Sequence, residues 1–197
     1  ALEQINLFDF NTLILPDGRY GWDEETRESI RQWVRAGGVI VAMERANEWL
    51  SEKSFISMTR KKRPETDPVQ TAPYNQRGNQ RRAQSISGVI LKADVDPTHP
   101  LGFGIDQKNM PVFKDNSAIY ERPKNRYEVP VGIGQSPLMS GYLSDENLKM
   151  IENTTYCQVH QLGRGVVVSF TADPNFRAFW YGTNRLFMNA LFFGSLL

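Results

Sequence analysis

The 197-residue sequence contains one cysteine, Cys157, and two histidines, His99 and His160. A single cysteine excludes an internal disulfide framework and a multi-cysteine zinc site. The two histidines belong to no His-x-x-Glu or His-Glu-x-x-His pattern, so no metal-ligand set is assigned and no cofactor is expected in this chain. Cys157 and His160 stand three positions apart in an alternating stretch that reads as a strand. Their side chains then point to opposite faces, which excludes a Cys–His dyad and leaves Cys157 as a small buried hydrophobe. No apolar run approaches the ~20 residues that span a bilayer, and the first residues lack the basic region and apolar core of a secretory signal. Net charge is nearly absent: 23 basic residues oppose 22 acidic ones, for a formal +1, which by itself calls for no anionic partner.

What is present describes one globular domain, with 40% hydrophobic and 23% charged residues. The charge is unevenly placed. Eight basic residues between positions 53 and 82 face only Glu65 and Asp67, so the rest of the chain is net acidic. Residues 53–84 hold three prolines and no sustained apolar period, and read as a long mobile basic excursion. Arg60, Lys61, Lys62, Arg63, Arg81 and Arg82 are candidate anion-binding residues there, although a solvated loop is the plainer reading. Only Tyr74 interleaves the charges, which gives little for bases to stack on, so nucleic acid is not expected as a partner.

The chain is organised around its third element. Residues 11–15 read as a buried strand stopped by Pro16-Asp17-Gly18. Asp23 then caps a helix carrying Glu24 and Glu25 in its first turn and Ile30, Trp33 and Val34 on one face, with Gly37 placed to end it. A second buried strand, residues 39–43, runs within one residue into a helix ending in Trp49-Leu50. This is a right-handed βαβ unit, and its strand-to-helix elbow is Met43, Glu44 and Arg45. Farther on, strands are expected at 85–93, 110–113, 117–120 and 155–160, with a hairpin turn at 162–165 leading into a strand at 166–170. Residues 129–138 read as a Gly- and Pro-punctuated connection, and 144–150 as a short helix. The last helix, starting near Thr183, is apolar on nearly every face and is expected to pack against the sheet and against something else.

Chemistry is best sought at the elbow, because α/β proteins present reactive groups at the carboxyl ends of their strands. Neither Met43, Glu44 nor Arg45 supplies a thiol or hydroxyl nucleophile. Glu44 reads as a general base or substrate anchor, or else as a carboxylate satisfied by helix N–H groups or by Arg45 or Arg177. Residues 173–177, just past the 166–170 strand, add Asp173 and Arg177, which are either partners of the elbow or a turn whose arginine bridges carboxylates.

Taken in order, Leu13-Ile14-Leu15-Pro16-Asp17-Gly18, the Gly37-Gly38 strand into Trp49-Leu50, His99-Pro100-Leu101-Gly102-Phe103-Gly104, Ser140-Gly141-Tyr142, and Gly165 through Phe176-Arg177 to Asn189-Ala190-Leu191 form a recognisable set. It resembles the class I glutamine-amidotransferase-like domain that follows the catalytic domain in bacterial zinc carboxypeptidase-family proteins. The resemblance implies an α/β, flavodoxin-like three-layer fold with a mostly parallel sheet and helices on both faces. Active amidotransferases carry a cysteine at the elbow, where this sequence has Glu44, so glutaminase chemistry is not implied. The family's zinc ligands belong to a separate upstream domain, and its first strand and helix precede the segment matched here. The resemblance therefore implies a fragment of a longer parent that is periplasmic or extracellular. Its role would be a non-catalytic accessory domain partnered by the upstream peptidase domain or by a second copy through the C-terminal apolar helix. The alternative is a small-molecule or sugar-binding or hydrolytic unit using Glu44, Asp173 and Arg177 at the sheet edge.

Overall fold

Thr12–Leu15 (β1) and Val39–Met43 (β2) pair in parallel, joined by the crossover helix Glu24–Arg35 (α1). The computed structural model describes residues 5–63 and 73–197, with backbone alone at residues 80 and 81. The start of α1 follows from its sequence: the Asp23 carboxylate accepts from the Thr26 N–H at 2.8 Å, and Glu24 and Glu25 meet the positive end of the helix dipole. Ile30, Trp33 and Val34 are buried beneath it, each contributing about 1.5–3 kcal/mol of apolar burial. Gly37 takes a φ of 122° to turn the chain into β2.

The remaining elements are Arg45–Glu52 (α2), Tyr74–Gln84 (α3), Val89–Val95 (β3), Asn109–Lys114 (β4), Val131–Ser140 (β5), Asp145–Ile151 (α4), Thr154–Leu162 (β6), Gly165–Phe170 (β7) and Asn184–Phe193 (α5). The sheet runs β1-β2-β7-β6-β5-β3-β4. It is mixed rather than mostly parallel. Only β1–β2 and β2–β7 are parallel, and the other four pairings are antiparallel. The physical reason is connection length: β6 and β7 are joined by a tight turn at Gly163 and Arg164, which permits only an antiparallel pair, whereas a parallel pair needs a crossover such as α1.

Both faces of the sheet are covered. One core gathers Ile40, Ala42 and Val167 beneath α1 and α2, with Trp33 and Trp49. The other gathers Val39, Val41, Val166, Val168 and Phe170 with Leu186 and Ala190 of α5. Accordingly every residue of β2 and β7 is buried, as expected of strands enclosed on two sides. At Gly165 the chain passes so close to the end of α1 that a Cβ would stand 2.1 Å from the Val34 carbonyl oxygen.

Three expectations need correction. Residues 129–138 are not a connection but most of β5, in which bulges absorb the Gly and Pro positions. Residues 117–120 form no strand, only an isolated bridge from Tyr120 to Arg60. The basic excursion is in part built into the fold: Phe55, Ile56 and Met58 are buried, and residues 74–84 are helical. Residues 64–72 of that stretch lie outside the described residues.

Candidate functional site

The elbow is real and its backbone is strained. Glu44 has φ 50° and ψ −118°, a conformation that costs a non-glycine residue about 1–3 kcal/mol and persists only when its surroundings enforce it. Those surroundings are clear. The Glu44 N–H donates to the Phe170 carbonyl at the end of β7 at 3.0 Å, and the same carbonyl accepts from Asn47 Nδ2 at 2.7 Å. Asn47 is fully buried, so the first turn of α2 is tied to β7 from inside.

Glu44 does not cap α2 with its side chain. That role is taken by Asp17 in the turn after β1. Its carboxylate accepts from the Arg45 backbone N–H at 3.1 Å and grips the Arg45 guanidinium through Nε at 2.9 Å and Nη2 at 2.7 Å. The arginine holds the Asp17 carboxyl below its ordinary pKa. With Arg45 occupied, the Glu44 carboxylate is satisfied neither by helix N–H groups nor by an arginine among the described residues.

Half-buried and, among the described residues, without a hydrogen-bond donor, the Glu44 carboxyl is pushed up to a pKa of about 7. Burial is the largest cause, and the charges of Asp115, Asp17 and Asp173 add to it against the opposing charge of Lys114. Lys114 is buried at the end of β4, and its Nζ donates to Asn116 Oδ1 at 2.9 Å and to the Ala118 carbonyl at 2.7 Å. A longer 3.4 Å contact reaches the Thr171 carbonyl, just past β7. Burial pushes this ammonium down to about 7. One Asp115 carboxylate oxygen is buried with no partner among the described residues. Asp173 turns its own loop, accepting from the Asn175 N–H at 2.8 Å.

The ends of β1, β2, β4 and β7 thus bring Asp17, Glu44, Lys114, Asp115 and Asp173 together at one edge of the sheet. Glu44 and Asp173 were legible as candidates; Lys114 and Asp115 were not singled out. The signal was the alternation of β4, in which Met110, Val112 and Lys114 share the buried face and the third position holds a charge. Arg177 bridges no carboxylate among the described residues: it is exposed, with a φ of 50°, and its guanidinium lies 5.1 Å over the Phe176 ring. Met43 faces the α5 side of the core. Among the described residues no group of three or more His, Cys, Asp or Glu side chains is arranged to hold a metal ion.

The sequence candidates for anion binding are mostly committed elsewhere. Arg60 pairs with Glu48. Lys61 Nζ caps the end of α4 through the Met150 and Glu152 carbonyls at 2.9 and 3.1 Å. Arg63 joins Glu146 at 3.0 Å and Asn147 Oδ1 at 2.6 Å. Lys62 and Arg82 are exposed, and the Arg81 side chain lies outside the described residues. Cys157 is wholly buried, its thiol pushed up by that burial. It lies in the α5-side core and takes no part in the elbow.

A positive-φ elbow with a glutamate at the turn joins the central parallel strand β2 to α2, within an α/β sheet covered on both faces. Solved structures share this fold. A ThuA-like protein from Parabacteroides merdae ATCC 43184 superposes with a TM-score of 0.59 at 12% identity, covering 97% of this chain and 72% of its own. A ThuA-like protein from Bacteroides uniformis ATCC 8492 gives 0.55 at 12% identity, over 98% of this chain and 71% of its own. The N-terminal domain of mmIFT52 gives 0.51 at 11% identity, over 100% and 80%. No protein-family model matches the sequence, and neither does any curated protein. At such identities the likeness establishes the fold.

Proposed function

We propose that the carboxyl edge of β1, β2 and β7 binds a small polar molecule and that Glu44 exchanges a proton with it. The observation that carries this reading is the Glu44 carboxyl itself: half-buried, without a hydrogen-bond donor among the described residues, on an enforced positive-φ elbow, with a pKa near neutrality. A proton-transfer group works best when its pKa lies near the working pH. The neighbouring carboxylates of Asp173 and Asp115 disfavour an anionic ligand and favour a neutral or cationic one, such as a sugar or an amine. Asp173 would orient it, and Arg177 would contribute from the rim. A thermal-shift screen of sugars, amines and amides at pH 7, run on wild type and Glu44→Gln, tests this. A ligand that stabilises the wild type and binds the variant at least about tenfold more weakly is expected; identical profiles for the two proteins overturn the reading.

A second reading is favoured by a different observation. Met188 and Phe192, one turn apart on α5, are 38% and 69% exposed, and Leu196 just beyond is 72% exposed. Such an apolar stripe suits a non-catalytic accessory domain that packs against another domain or a second copy of this chain. In the setting implied by the sequence resemblance, the partner would be the peptidase domain of a zinc carboxypeptidase-like parent, which would carry the zinc. Sedimentation of this chain beside Phe192→Ser is the check on self-association, where a wild-type monomer at every concentration removes it. Carboxypeptidase turnover with stoichiometric zinc in this chain alone would overturn the accessory role.

A further inference from the structure

Alongside the last residues of β6 lies an open groove of about 1080 Å³ that the elbow does not touch. Its position in the sheet separates it from Glu44. His160 pairs with Val167 and Gln161 with Val166, near the start of β7, whereas Glu44 bonds to Phe170 at the end of that strand. Ser54, Ser57 and Thr59 form one wall, and the loop carrying Arg122 and Glu128 forms another. Both histidines of the chain line it.

Gln158 and His160, two apart on β6, share one face of the strand and are only 1% and 9% exposed. The Gln158 Nε2 donates to the Glu121 carbonyl at 2.9 Å, which fixes the amide and leaves Oε1 with no donor among the described residues. His160 Nε2 is likewise buried without a partner among the described residues. His99 Nδ1 accepts from the Leu101 N–H at 3.1 Å, so its neutral ring carries the proton on Nε2 as a free donor. Burial pushes both imidazoles down, His160 to about 4, so both are neutral at pH 7. Buried polar groups left unpaired are rare in native proteins and call for an explanation.

We propose that this groove is a second binding site, for a neutral polyhydroxylated small molecule such as a short oligosaccharide. The set of groups selects that chemistry. A fixed acceptor on Gln158, a fixed donor on His99 and the imidazole nitrogen of His160 ask the ligand both to donate and to accept, which a hydroxyl does with one group. A carboxylate only accepts and an ammonium only donates. The charged lining is balanced, with Arg122 and Lys124 against Glu121 and Glu128, and so attracts neither sign. At about 1080 Å³ the volume lies just above the roughly 300–1,000 Å³ common for small-ligand clefts, which suits several linked rings better than one.

Because the two histidines are the only ones in the chain, their ring resonances report on this groove alone. The test is a titration of long-range proton–nitrogen ring spectra with glucose, sorbitol, maltotriose and cellotriose at millimolar concentration. Wild type and Ser57→Trp are compared, the latter placing an indole at an exposed position in the groove wall. The expected result is a saturable shift of both rings with at least one of the oligosaccharides in wild type, and loss of that shift in Ser57→Trp with its thermal midpoint unchanged. No saturable shift with any of the four, or the same shift in Ser57→Trp, overturns the proposal. Since Glu44 lies outside the groove, Glu44→Gln should leave the ring shifts intact, so this test and that of the elbow fail independently.

Discussion

At Glu44 burial and the charges of three aspartates act on one proton, and their sum makes the residue a pH-dependent element of the fold. Its native pKa of about 7 lies above the ordinary 4.5. The native state therefore holds the proton more tightly than the unfolded chain. The resulting stabilisation is fully present below pH 4.5 and is lost as the pH rises through about 7. Glu44→Gln should match wild-type stability at about pH 4 and exceed it at about pH 8 by about 1–2 kcal/mol, a figure reduced for the solvent that reaches this half-buried group. Urea unfolding at the two pH values checks the sign; a variant no more stable at pH 8 contradicts it. Lys114 is the opposite case. Removing its ammonium in Lys114→Met takes the donor from the buried Ala118 carbonyl, while Asn116 Oδ1 keeps the Ala118 N–H at 3.1 Å, and a loss of about 1–3 kcal/mol in the same assay is expected.

Among the elements, α2 is held from two neighbouring strands rather than by its own cap. Asp17→Ala removes both the donated cap and the Arg45 clamp, and should cost about 1 kcal/mol while speeding amide exchange in the first turn of α2 more than elsewhere. The junction of α1 with the β6–β7 hairpin is far less tolerant. A Cβ at position 165 meets the Val34 and Gly38 carbonyl oxygens at 2.1 and 2.2 Å, so Gly165→Ala should destabilise by about 3 kcal/mol. Denaturant midpoints give that value directly. The βαβ unit was readable because two short apolar runs of strand length flank a helix whose 3.6-residue period is sustained over three turns and carries its own cap. β5 was not, because its glycines and proline stand at bulges, where they look locally like a connection.

Over the whole molecule, the two cores share one sheet, β2 and β7 being buried on both faces. Far-ultraviolet dichroism, which follows every element, and tryptophan fluorescence, dominated by Trp22, Trp33 and Trp49 on the α1–α2 side, should therefore report one coincident unfolding transition. Two separated transitions would mean that the faces unfold independently. The sequence by itself determined the α/β class, the α1 boundaries and the elbow at Glu44, because these rest on local patterning, capping residues and turn chemistry. Only the tertiary structure decided the mixed order of the sheet, the commitment of Arg60, Lys61 and Arg63 to structural contacts, and the convergence of Asp17, Lys114, Asp115 and Asp173 on Glu44. Those depend on which strand ends meet across long sequence separations, and so does the proton affinity of Glu44, since burial and neighbouring charge are properties of position in space.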